Sequence, residues 1–118
     1  MQVSITARHT IVSDSMRRHA ERRLQRLERV ARRPARAVVL CDVQRGIRDV
    51  EARVTVFGSG QFIAHATAST LRAAFDLALA RVTRQILRHR KRVRNHHAVK
   101  LDLPVRPRAA RAAKAGRS

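Results

Sequence analysis

Residues 36–68 read RAVVLCDVQRGIRDVEARVTVFGSGQFIAHATA, and this stretch decides the fold. Its first part, residues 36–44, is β-rich and almost uniformly apolar, the pattern of an interior strand. Gln44-Arg45-Gly46 is a turn signal. Beyond it Val50, Ala52, Val54 and Val56 alternate with Glu51, Arg53 and Thr55, which predicts a strand with one solvated face. Gly58-Ser59-Gly60 predicts a tight hairpin turn. After it Phe62, Ala64, Ala66 and Ala68 share one face of a further strand, and Ile63, His65 and Thr67 share the other. Strands joined by turns this short are antiparallel neighbours.

The flanking segments complete the layer. Val3, Ile5 and Ala7 alternate with Gln2, Ser4, Thr6 and Arg8, which predicts a half-buried strand. Ser13 offers an N-cap hydroxyl, and Asp14 sits in the first turn, where the helix dipole favours an acid. Met16, Ala20, Leu24, Leu27 and Ala31 form one helical stripe that runs to about Arg32, and Pro34 ends it. Because a helix intervenes, the first strand is expected to lie parallel to the second. Ser69 or Thr70 caps a second helix with the stripe Leu71, Ala74, Phe75, Ala78, Leu79, Val82, Ile86 and Val93, running to about Arg94. The expectation is an α+β fold of two layers, β-α-β-β-β-α, with a four-stranded sheet, two helices on one face and solvent on the other. Residues 1–94 form this domain. Residues 95–118, with Pro104, Pro107 and an Ala/Arg-rich end, are expected to be a disordered basic tail.

Composition narrows the function. The 118 residues carry 27 Lys plus Arg against 8 Asp plus Glu, a formal charge of +19. Such a field calls for a polyanion: nucleic acid, an anionic membrane or an acidic protein. One cysteine, Cys41, excludes an intrachain disulfide and a Cys-based zinc site and reads as a small core residue. There is no apolar run of membrane-span length and no signal-peptide pattern, so an intracellular, cytoplasmic protein is expected. With no Trp, no Tyr and three Phe, the chain has little with which to stack bases. Nucleic-acid binding should therefore proceed through phosphates and shape.

The charge is one-sided. On a helical wheel His19, Arg22, Arg26, Arg29 and Arg33 share one flank of the first helix, opposite Glu21, Glu28 and Arg17. On the second helix Arg81, Arg84, Arg88 and Lys91 form a row with Arg92 beside it, and Asp76 lies on the other flank. A merely solvated face mixes signs; rows of like charge one turn apart destabilise a free helix and point to phosphate binding. Both helices should run the same way across the sheet, so their basic flanks point in the same lateral direction and form a ramp, not a clamp. Other chemistry is weakly supported. His96-His97 lacks further metal ligands. Asp42, Asp49 and Glu51 read as solvated strand charges, two of them flanking a hairpin, with no His or Ser partner at recognisable spacing. Gly58-Ser59-Gly60 lacks the following helix that a phosphate loop requires. No catalytic constellation, cofactor site or small-molecule site is visible, so an enzyme is the least favoured class. His89, near the apolar stripe, fits packing and RNA contact equally.

These residues resemble the short ribosome hibernation-promoting factors and ribosome-associated translation inhibitors, a family also known as sigma-54 modulation or ribosomal subunit interface proteins. The resemblance spans residues 1 to about 94. It is carried by Met1-Gln2-Val3-Ser4-Ile5-Thr6, Met16-Arg17 and Arg23-Leu24-Gln25-Arg26-Leu27-Glu28. It continues in Ala73-Ala74-Phe75-Asp76, similar to the family's Ala-Ala-Ile-Asp, and in Arg84-Gln85-Ile86-Leu87-Arg88-His89-Arg90, similar to its Arg-Gln-Leu-x-Lys-His-Lys. The resemblance implies the same β-α-β-β-β-α fold and a non-enzymatic factor. It further implies binding to the small ribosomal subunit and its ribosomal RNA in the channel of the A and P sites, and inhibited, preserved ribosomes in starvation or stationary phase. The family's RNA contacts carry over to Arg23, Arg26, Arg29, Arg81, Arg84, Arg88 and Arg90. With the wheel, the candidate RNA-binding set is Arg22, Arg23, Arg26, Arg29, Arg81, Arg84, Arg88, His89, Arg90, Lys91 and Arg92. The protein is expected to be a monomer off the ribosome, with no membrane, metal or cofactor.

The chain departs from the family in having Thr70-Leu71-Arg72 where members often have Asp-x-Tyr. Long members pair ribosomes through a second domain, which the twenty-odd basic residues of the tail are not expected to supply. Two other readings of the same charge are a generic double-stranded-RNA module and a protein-interaction regulator of transcription.

Overall fold

The computed structural model describes residues 1–101, with side chains described through residue 95. The element order is β1 (Gln2–Arg8), α1 (Asp14–Ala31), β2 (Ala35–Gln44), β3 (Ile47–Val56), β4 (Gly60–Ala68) and α2 (Leu71–Leu101). The sheet order is β1-β2-β3-β4. β1 is parallel to β2, and the other two pairings are antiparallel. The predicted α+β architecture is therefore the observed one.

Register explains the two faces. Ile5, Val39, Ala52 and Ala64 lie side by side across the sheet, as do Val3, Ala37, Val54 and Phe62. These residues belong to or pack against one core that also takes Met16, Ala20, Leu24, Leu27 and Ala31 from α1. From α2 the core takes Ala74, Phe75, Ala78, Leu79, Val82 and Ile86. The residues between them in sequence, such as Thr6, Leu40, Glu51 and His65, form a matching row on the open face.

Local chemistry sets the joints. Gln44 pairs with Ile47, so the β2–β3 loop is two residues, and both Arg45 (φ 54°) and Gly46 (φ 75°) take the left-handed conformation that a twisted hairpin needs. Ser13 caps α1 by accepting from the Met16 amide at 3.1 Å, and Arg32 closes it in the left-handed conformation. Glu28 ties the end of α1 to the sheet, accepting from the Ala35 amide at 3.0 Å while its other oxygen lies 3.4 Å from the terminal ammonium of Met1. Thr70, not Ser69, caps α2, accepting from the Ala73 amide at 3.0 Å.

The chain divides into two compact units, Met1–Arg88 and His89–Ser118. α2 runs to Leu101, past the expected end near Arg94. The added segment contains no glycine or proline, and the first breaker is Pro104. The remainder of the expected tail, residues 102–118, lies outside the described residues.

Candidate nucleic-acid interface

The helical layer carries the basic surface, and the contacts of its side chains fix which way each flank looks. On α1, His19 and Arg23 reach Asp76 on α2: Asp76 Oδ1 lies 2.7 Å from Nε2 of His19 and accepts from Nη1 of Arg23 at 3.3 Å. The basic flank of α1 thus faces toward α2. On α2, Arg81 Nη1 donates to the carbonyl of His65 at 2.5 Å, and Gln85 Nε2 donates to the carbonyl of Ile63 at 3.0 Å. Its basic flank thus faces toward β4, the edge strand of the sheet. Both flanks look the same way, and the surface is a ramp descending from α1 over α2 toward β4.

The wheel's residues divide on closer view. Arg22, Arg26 and Arg29 on α1 and Arg81, Arg84 and Arg88 on α2 are exposed, whereas Arg33, which the wheel put on the α1 flank, lies beyond the left-handed Arg32 that ends the helix and donates from Nη1 to the carbonyl of Phe57 at 3.4 Å. Arg23 is half-buried against Asp76, and His19 is buried, with its ring edge-on to Phe75 at a centroid distance of 5.9 Å. His19 therefore does not belong to a solvent-facing row. Arg81 is exposed yet also occupied with a sheet-edge carbonyl, which β4 could not otherwise satisfy within the sheet on its outer side. In the second unit, Lys91 and Arg92 are exposed, whereas His89 and Arg90 are half-buried and engaged with other groups.

The like-charged spacings have an energetic cost. Arg22–Arg26, Arg26–Arg29, Arg81–Arg84 and Arg84–Arg88 each stand one turn apart, and each such pair destabilises a helix by about 0.2–0.5 kcal/mol. A polyanion laid along the ramp removes that repulsion.

The acids stand elsewhere. Asp42, Asp49 and Glu51 lie on the open sheet face, on β2 and β3, each with a basic neighbour. Asp42 pairs with Nδ1 of His9 at 2.9 Å, Asp49 with His65 and Glu51 with Arg53. Asp42 and Asp49 are cross-strand partners that flank the β2–β3 hairpin turn, as expected, and Glu51 lies further along β3. The histidine partners were not legible in the sequence, being separated from their acids by 33 and 16 positions. Asp76 is the sole acid in residues 71–101.

Among the described residues, no group of three His, Cys, Asp or Glu could hold a metal ion, and no helix is long and apolar enough to cross a membrane. The side chains of His96 and His97 lie outside the described set. Cys41 is buried in β2, and burial pushes its thiol above the ordinary value of 9.0, partly offset by the charge of Arg17.

Comparison with known proteins bears on this surface. Residues 3–94 match the family model described as "Sigma 54 modulation protein / S30EA ribosomal protein". Over 92 residues the chain is 30% identical to a ribosome hibernation promoting factor of Azotobacter vinelandii, covering 78% of this chain and 85% of that protein. The N-terminal domain of Thermus thermophilus Protein Y superposes with a TM-score of 0.69 at 26% identity, covering 75% of this chain and 98% of that one. A ribosomal subunit interface protein from Coxiella burnetii shares the fold with a TM-score of 0.69 at 19% identity, covering 77% of this chain and 99% of that one.

Proposed function

The chain belongs to the sigma 54 modulation protein / S30EA ribosomal protein family, and from that premise we propose that it is a ribosome hibernation factor. In this reading it binds the small ribosomal subunit through ribosomal RNA, in the channel used by tRNA and mRNA at the A and P sites. It thereby blocks translation and preserves idle ribosomes under stress or in stationary phase. It acts in the cytoplasm, is a monomer off the ribosome and performs no catalysis.

The observation that supports this most is the one-sided arginine ramp. Arg22, Arg26 and Arg29 on α1 and Arg84 and Arg88 on α2 are exposed, at helical spacings that present guanidinium groups along one surface. Guanidinium groups match phosphate oxygens bidentately, and a scarcity of aromatics leaves phosphate and shape as the readable features. Folded RNA with closely spaced backbones fits such a ramp better than a single strand does. Occupying the path of tRNA then inhibits by exclusion, which needs no reactive group.

Co-sedimentation with purified small subunits tests the reading. Several phosphate contacts predict that affinity falls about 10³-fold or more between 50 and 200 mM salt. Protein that stays in the supernatant at low salt contradicts it.

A further inference from the structure

The geometry points to Asp76 as a positioning residue of the basic surface, one that holds Arg23 and His19 for itself and so sets the two arginine rows at a fixed spacing. The inference rests on the ribosome-binding reading above and refines it.

A carboxylate beside a phosphate-binding surface is unfavourable unless it has another task. Asp76, the sole acid of α2, has its Oδ1 2.7 Å from His19 Nε2 and 3.3 Å from Arg23 Nη1, both on α1. His19 is 7% exposed and also meets Phe75 edge-on, so it is held by two consecutive residues of α2. The side chains of Arg23 and Asp76 are 35% and 36% exposed, which leaves Arg23 turned into the helix–helix seam while its neighbours Arg22 and Arg26 face solvent. The clasp fixes rotation and spacing between the helices. Arg22 and Arg26 lie within one turn of Arg23, and Arg84 lies about two turns from Asp76, so the clasp sets the distance between the rows. A rigid RNA presents its phosphates at set spacings, and a surface already organised to match loses less on binding. Arg23, grouped with the RNA-binding arginines from sequence, is thereby reassigned from phosphate ligand to brace.

The test titrates variants against purified small subunits from 50 to 200 mM salt, with a thermal melt of each. Asp76→Asn makes the protein more positive by one charge, so electrostatics alone tightens binding. Positioning predicts the opposite sign, a loss of roughly tenfold, with partial recovery in Asp76→Glu. Glu21→Gln makes the same charge change on the far flank of α1 and should bind at least as tightly as the unaltered protein. Arg23→Gln should weaken binding without changing the slope of log affinity against log salt, whereas Arg26→Gln should lower that slope by about one. Arg23→Gln carries the test if Asp76→Asn melts below the assay temperature. A folded Asp76→Asn that binds as tightly as the unaltered protein or tighter overturns the inference. So does an Arg23→Gln slope loss equal to that of Arg26→Gln. Failure of the unaltered protein to bind small subunits at low salt overturns the ribosome-binding reading itself.

Discussion

Nε2 of His19 on α1 lies 2.7 Å from Oδ1 of Asp76 on α2, joining two helices across 57 positions of sequence. The ring also packs edge-on against Phe75, the residue before Asp76. A polar contact and an aromatic contact therefore meet at one seam, directly above the core that Phe75 fills at 0% exposure.

Phe75→Ala should be among the most damaging core substitutions. It leaves a cavity under both helices and removes the aromatic neighbour of His19, at a cost of about 3–5 kcal/mol. Urea denaturation should show the midpoint fall, with Leu24→Ala, also at 0% exposure, costing about 2–5 kcal/mol.

Salt should stabilise the free protein while weakening its binding. The arginine rows repel within α1 and α2, and added salt screens exposed charges, with a Debye length of about 10 Å at 0.1 M. The melting temperature measured without ribosomes should rise by several degrees between about 20 and 200 mM salt. A melting temperature that falls over this range would show that the ion pairs outweigh the repulsion.

Reversing the ramp should separate binding from folding. The triple variant Arg26→Glu, Arg84→Glu, Arg88→Glu should abolish inhibition of in vitro translation while melting no lower than the unaltered protein, because these exposed groups repel their neighbours in the free state. Arg81→Gln should instead cost stability, about 1 kcal/mol, through the lost bond to the His65 carbonyl. Inhibition retained by the triple variant would move the site elsewhere.

Cys41 should resist alkylation in the native protein and react fully once unfolded, since burial disfavours its thiolate. Its folded value lies above the ordinary 9.0, so the unfolded state loses the proton first. The contribution of the thiol to stability is intact below about pH 9 and is lost as pH rises through the folded value. Alkylation kinetics with and without denaturant, and melts from pH 8 to 10.5, check both statements.

The sheet was legible because its signals are local. The alternation of Val50, Ala52, Val54 and Val56, the Arg45-Gly46 turn and the Ser13 cap each specify geometry within a few residues. The end of α2 was less legible, because beyond Arg94 polar residues remove the amphipathic stripe without supplying a breaker before Pro104. The basic rows were legible as wheel positions. Their occupancy was not, because a wheel knows nothing of the next helix. Nothing near Arg23 in sequence announces Asp76, and nothing near Arg81 announces the His65 carbonyl. The histidine partners of Asp42 and Asp49 were hidden for the same reason: His9 follows the end of β1, whose Arg8 pairs with Asp42, and His65 lies on β4, diagonal to Asp49 across the ladder.

The central claim is that the arginine ramp occupies the tRNA path of the small subunit, and competition on purified small subunits tests it most directly. With labelled protein bound at about 50 mM salt, added tRNA and mRNA should displace it, and free duplex RNA at equal phosphate concentration should compete far less well. Simultaneous binding of tRNA and the protein, or equal competition by free duplex, would contradict the account.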